Sequence, residues 1–243
     1  MLKKKAFRPF FCNLNNGIIL SMIKQFNPDK LSKQPFFIDL INFLYLNQPV
    51  TLREIKKEFS SQDNLDRLIE EFVKANYIER SNKRYSLLIS FVSDVSTVDL
   101  DQHLFIDDAT SLYQELIGCR FRTKVLNSTN DVIIQEYTSI TRDDNTISNY
   151  FYKLRENLPF SEEQNRLYNL LGDVNPEYFL KYVTTFLLKF VRKDVLLQKR
   201  RNIFVDALEI LGYIIQVEEG HYTLNMDLDI DGLVYSTKNS KQA

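Results

Sequence analysis

Residues 75–87 read Ala75-Asn-Tyr-Ile-Glu-Arg-Ser-Asn-Lys-Arg-Tyr-Ser-Leu87. Tyr77-Ile78-Glu79 and Arg84 to Leu88 have the composition of two short strands, and Arg80-Ser81-Asn82-Lys83 is the polar turn between them. The text upstream is helical. From about Asn64 to Ala75, Leu65, Leu68, Ile69 and Phe72 fall on one face of a helix. Before it, Thr51 and Glu54 have the spacing of a capping box, in which each side chain satisfies the other's free amide, so a helix is expected from Leu52 to Phe59. A first helix over 36–46 presents Phe36, Phe37, Leu40, Ile41 and Leu44 on a broad apolar face. Pro35 suits its first position, where the missing amide hydrogen costs nothing, and Gln48-Pro49 stops it.

Three helices followed by a hairpin resemble a winged helix-turn-helix domain. The same text recurs in Leu208-Glu-Ile-Leu-Gly-Tyr-Ile-Ile-Gln-Val-Glu-Glu-Gly-His-Tyr-Thr-Leu224, where Tyr213 lies over Tyr77 and Tyr222 over Tyr85 with one extra residue in the turn. The apolar stripe Phe204, Val205, Leu208 takes the place of Leu68, Ile69, Phe72. Gly212 stands where the first copy has Asn76, and both residue types tolerate a left-handed helix cap. Upstream, residues 176–188 parallel the first helix, with the first and second helices of this copy nearly fused. The expected fold class is therefore α+β and mainly helical, with two winged-helix domains in tandem and a folded α+β insert between them.

The expected boundaries are a loosely ordered extension at 1–27, a winged helix at 28–92, a middle region at 93–173, a second winged helix at 174–230 and a tail at 231–243. In the middle region a capped helix is expected from Asp107–Asp108 to Ile117, strands at 120–126 and 131–137, and amphipathic helices at 146–157 and 161–171. Its aromatics, among them Tyr150, Phe151, Tyr152, Phe160 and Tyr168, argue for a folded insert rather than a linker.

Three stretches carry a resemblance to a known family: residues 27–41 (Asn-Pro-Asp-Lys-Leu-Ser-Lys-Gln-Pro-Phe-Phe-Ile-Asp-Leu-Ile), 148–154 (Ser-Asn-Tyr-Phe-Tyr-Lys-Leu) and 171–178 (Leu-Gly-Asp-Val-Asn-Pro-Glu-Tyr). They resemble domain-of-unknown-function family 1803 of lactic-acid-type Gram-positive bacteria, over about residues 22–230. The resemblance implies Met22 as the natural start. It brings no activity, cofactor or catalytic residue with it.

Composition excludes many chemistries. Six glycines (Gly17, Gly118, Gly172, Gly212, Gly220, Gly232) are scattered singly, so there is no Walker A loop, dinucleotide fingerprint or nucleophile elbow. Cys12 and Cys119 form no Cys-x-x-Cys pair and read as reduced thiols. No run approaches the roughly 18 apolar residues of a membrane span, and Arg8 and Pro9 spoil a signal peptide. The expected location is the cytoplasm, with no membrane contact. The net charge of −1 conceals fifteen basic and nine acidic residues over 1–91, against seven and fifteen over 92–180.

No catalytic residue, cofactor or metal ligand is expected. His103 and His221 are the only histidines, and neither has a metal-type partner spacing, although Asp101, Asp107 and Asp108 lie near His103 in sequence. Asp227-Leu-Asp-Ile-Asp-Gly232 matches four positions of a calcium loop, but its twelfth residue is Lys238 instead of a bidentate Glu. Double-stranded DNA is one expected partner. Its candidate contacts are Arg53, Lys56 and Lys57 on the second helix, Arg80, Lys83 and Arg84 in the hairpin, and Lys199, Arg200 and Arg201 before the last helix. Few mid-helix side chains can read base edges, so such contact would be sequence-neutral. Against it stand Asp66, Glu70 and Glu71 on the third helix, which would repel phosphates. The alternative is a protein-interaction module, an accessory subunit of a chromosome-organising or transcription complex, without direct DNA contact. Oligomeric state stays open.

Overall fold

The structure is a computed structural model and describes residues 22–238. Among the described residues the chain forms eight α-helices and twelve strands in four sheets. It divides into two compact units between Gln114 and Glu115. That division falls inside the 93–173 segment, which is not a body of its own.

Unit 1 contains β1 (Ile23–Phe26), α1 (Pro35–Asn47), β2 (Val50–Thr51), α2 (Leu52–Glu58), α3 (Leu65–Lys74), β3 (Ile78–Ser81), β4 (Arg84–Leu87) and β5 (Leu104–Asp107). Pro35 opens α1, and Phe37, Leu40, Ile41 and Leu44 are fully buried along it. The capping box of α2 is formed, with the Thr51 amide donating to Glu54 Oε2 at 2.6 Å and the Glu54 amide to Thr51 Oγ1 at 3.4 Å. The core closes through edge-on rings, Phe36 on Phe59 at 5.1 Å and Phe37 on Phe72 at 5.0 Å. β4 lies between β2 and β3 in one sheet, and β1 pairs antiparallel with β5 in a second.

This second pairing places residues 23–26, the described part of the segment expected as a loose extension over 1–27, in a sheet. Residues 1–21 lie outside the described residues, but Ile23 is buried and its amide donates to Asn42 Oδ1 at 2.7 Å. An apolar residue, a buried backbone donor and a strand partner tie down residues 23–26.

The helix α4 (Ser111–Gly118) runs across the division. Unit 2 continues with β6 (Phe121–Val125), β7 (Ile133–Thr138), α5 (Ile147–Glu156), α6 (Glu162–Leu171), α7 (Pro176–Leu187), β8 (Val195–Leu197), α8 (Ile203–Ile210), β9 (Ile214–Glu218), β10 (His221–Leu224), β11 (Met226–Asp229) and β12 (Val234–Thr237). Its core gathers Phe179, Val183 and Leu187 of α7 and Val205 and Leu208 of α8 against Ile134 and Tyr235. β10 lies between β8 and β9, and a four-stranded sheet runs β11-β12-β7-β6.

The expected fold class is thereby corrected. The described residues are α+β with four sheets, not a mainly helical pair of winged-helix domains. Between α7 and α8 the chain makes a short 3-10 turn (Leu188–Val191) and then β8, so the three-helix pattern fails over 174–230. The tail is likewise corrected. β12 pairs parallel with β7, Tyr235 is fully buried, and its hydroxyl donates to Leu187 O at 2.8 Å. Residues 226–237 thus complete a sheet begun in the middle region. Both hairpins nonetheless stand where the text places them, β3–β4 and β9–β10. No helix of the described residues is long and apolar enough to cross a membrane.

Candidate interaction surfaces

The six cations expected to contact DNA in unit 1 all lie on exposed positions of α2, β3, β4 and the turn between the strands. Helix α3 engages two of them. Lys56 Nζ lies 2.8 Å from Asp66 Oδ2, and Arg80 is paired with Glu70. Arg67 pairs with Glu71 one turn along the same helix, at 3.6 Å. Arg84 Nη1 donates to Pro49 O at 3.1 Å. Arg53, Lys57 and Lys83 have no ion-pair partner among the described residues. Each exposed pair is worth only about 0–1 kcal/mol and so would yield to a phosphate. What would not yield is the α3 surface itself, where three carboxylates stand among the cations. In unit 2, Arg201 Nε pairs with Asp206 Oδ2 at 3.0 Å, while Lys199 and Arg200 stay exposed in the loop after β8.

The residues weighed for metal binding have structural work to do. His103 shares a hydrogen bond with Gln25 Nε2 at 2.8 Å and packs on Phe105. Burial holds its pKa down, and the nearby Asp29 carboxylate only partly offsets this. Asp229 Oδ1 accepts the amides of Asp231 and Gly232, which closes the turn between β11 and β12, and strands rather than helices flank it.

A surface absent from the sequence expectations appears on the β8-β10-β9 sheet. The registers Leu196↔Tyr222 and Leu224↔Ile214 put the buried side chains on its inner face. Alternation then turns Val195, Leu197, Ile215 and Val217 outward on the two outer strands, 46–53% exposed, with the half-buried His221 and Thr223 of β10 between them. The β2-β4-β3 sheet of unit 1 has the same strand order, but its outer face carries Thr51, Glu79, Ser81, Arg84 and Ser86. One sheet face is made for water and the other is not. The signal was present in Val195-Leu-Leu197 and Ile214-Ile-Gln-Val217, which keep apolar residues at the outward positions, where the first copy has polar ones.

Beside β8 lies a groove of about 780 Å³. Phe186, Leu188, Val191 and Leu196 are among its apolar lining, and Lys189, Arg192 and Lys193 supply its charge. No Asp or Glu among the described residues lines it.

No curated protein and no solved structure matches the chain. The family model described as Domain of unknown function (DUF1803) matches residues 21–118. This covers the described part of unit 1 and α4, so it is in its first part that the protein is similar to that family.

Proposed function

We propose that the protein acts as a protein-interaction module, binding a partner rather than catalysing a reaction or holding DNA. The observation that carries this reading is the exposed apolar outer face of the β8-β10-β9 sheet, set against the polar face of its counterpart in unit 1. Large apolar side chains exposed together on one sheet face are characteristic of a contact site. The charge around it specifies the occupant. Lys189, Arg192, Lys193, Lys199, Arg200 and Arg201 flank β8 in sequence and outnumber the acids Asp194 before β8 and Glu218 and Glu219 at the β9–β10 turn, so the partner is a protein whose apolar surface is bordered by carboxylates. A duplex would meet the carboxylates of α3 in unit 1 and would have no use for an apolar sheet face in unit 2.

Two measurements on the full chain test this. Anisotropy of a labelled random 30-base-pair duplex at low salt is expected to show no binding, whereas affinity falling steeply with salt would overturn the reading. A photo-crosslinker at Ile215 in cells that express the protein is expected to give one adduct, absent when the crosslinker sits at Ser86. The adduct is then identified, purified and shown to bind the native chain but not Ile215→Asp. If no adduct forms, or if the purified protein binds the variant equally, the face is not the contact.

A further inference from the structure

We infer that the open edge of β8 receives an extended acidic segment of the partner as a fourth strand of the β8-β10-β9 sheet. This rests on the interaction-module reading and specifies where and how contact is made. Among the described residues β8 is an edge strand, bonded to β10 on one side only. The Gln198 amide donates to Gly220 O at 2.7 Å, which fixes the phase of the ladder. In an antiparallel pair alternate residues face the partner, so Leu196 turns its amide and carbonyl toward β10. Val195 and Leu197 therefore aim theirs away from β10, at the open side where the groove lies.

The groove is suited to a peptide in both parts. Phe186, Val191 and Leu196 offer alternate side chains an apolar bed, and Lys189, Arg192 and Lys193 offer carboxylates three cations with no acid between them. Strand addition draws affinity from the main chain and specificity from pockets for alternate side chains, which is the combination present here. Cations at a strand edge also repel another basic edge, so they oppose self-pairing while admitting an acidic strand. The corresponding edge in unit 1 offers no such site. β2 is two residues long, runs directly into α2, and has its approach from Pro49 occupied by Arg84.

The probe is the blocked peptide Ac-Glu-Val-Asp-Ile-Glu-Val-Asp-NH2, titrated calorimetrically into the full chain. Its controls are the same peptide with lysine at every acidic position, the acidic peptide N-methylated at alternate residues in either phase, and a dodecamer of deoxythymidine. The acidic peptide is expected to bind at least about tenfold tighter than the lysine peptide, the oligonucleotide and the N-methylated peptide of one phase, the other phase binding more tightly than that one. The surface double reversal Arg192→Glu/Lys193→Glu is expected to remove that advantage without moving the thermal midpoint. No binding, equal binding of the N-methylated peptides, or binding of the oligonucleotide that the reversal abolishes would each overturn the inference. Concentration-dependent self-association that blocks peptide binding would assign the edge to a second copy and overturn it too. If the peptide fails while the protein captured through Ile215 still binds, the strand inference falls and the interaction module stands.

Discussion

Tyr77 and Tyr213 occupy the same place in the two units, and each donates its hydroxyl to a carboxylate brought in by another segment, Asp29 in unit 1 and Glu136 in unit 2. The equivalence extends to the backbone. The Tyr77 amide donates to Phe72 O and the Tyr213 amide to Leu208 O, while their carbonyls accept from Leu88 and Asn225. The environments differ. Burial is the largest single influence on Asp29 and pushes its carboxyl up, but the hydrogen bonds from Tyr77 and Ser32 and the charge of His103 together outweigh it, leaving the carboxyl at about 2. Glu136 is buried outright, and burial raises its pKa despite bonds from Tyr213, Ile147 and Ser148.

Glu136→Gln is expected to destabilise unit 2. Glu136 Oε1 accepts from the Ile147 amide at 2.8 Å and Oε2 from the Ser148 amide at 2.9 Å, so both oxygens serve the free N-terminus of α5. An amide presents NH2 to one of those donors and leaves it buried without an acceptor. The cost is about 1–3 kcal/mol, read from urea unfolding at pH 7. An unchanged midpoint would show that the carboxylate does not cap the helix.

Asp29 sets an acid limit on unit 1. Its folded pKa of about 2 lies below the ordinary value of 3.8. Its contribution is therefore complete above pH 3.8 and is lost as pH falls toward 2. Because the residue is exposed, solvent screening keeps the effect to no more than about 1 kcal/mol. Tyr77→Phe removes the largest stabilising hydrogen bond, so the variant should lose less stability than wild type between pH 5 and pH 2. Parallel losses would mean that the Asp29–Tyr77 bond does not contribute.

Positions near the two ends of the described chain should prove as costly to disturb as any core position. Ile23→Ala is expected to cost about 2–5 kcal/mol and Tyr235→Ala about 3–5 kcal/mol, since both side chains are buried and leave cavities. Tyr235→Phe, which keeps the ring and drops only the bond to Leu187 O, should cost about 1 kcal/mol. Losses below about 0.5 kcal/mol for the alanine variants would mean that these end segments are appendages.

The local elements were legible because their signals are local. Thr51 with Glu54, Pro35, and the pair Asn76 and Gly212 each mark a helix end by a mechanism that needs no distant residue. The four-stranded sheet has no such mark. Its β12–β7 pairing joins Val234 to Ile133 across most of unit 2, and Tyr235 in a polar stretch does not announce its burial. Helix and hairpin text therefore supported a repeat of elements but not the sheets into which they close. The cations were equally legible as a cluster. The pairing of two of them was not, since Lys56 meets Asp66 and Arg80 meets Glu70 only through the packing of α2 and β3 beside α3.

The repeated helix cap makes the last prediction. Asn76 and Gly212 both end their helices at positive φ, +61° and +73°. A Cβ built on Gly212 meets nothing within 4 Å, so Gly212→Ala is charged only for left-handed backbone, about 1–2 kcal/mol. Gly212→Asn should lose less than half of that, because asparagine tolerates the conformation, and Asn76→Gly should change stability by under about 0.5 kcal/mol. Gly220 supplies the contrast. It has φ +71°, and a Cβ there would lie 3.1 Å from Gln198 O, a backbone atom with little freedom beside β8. Gly220→Ala should therefore cost more than Gly212→Ala, and it should also loosen the Gln198–Gly220 bond that holds β8 to its hairpin. Urea unfolding of the four variants gives the order, and amide exchange at Gln198 reports the bond. Equal losses for the two alanine variants would mean that the close approach at Gly220 relaxes freely, and that nothing at this turn fixes the phase of β8.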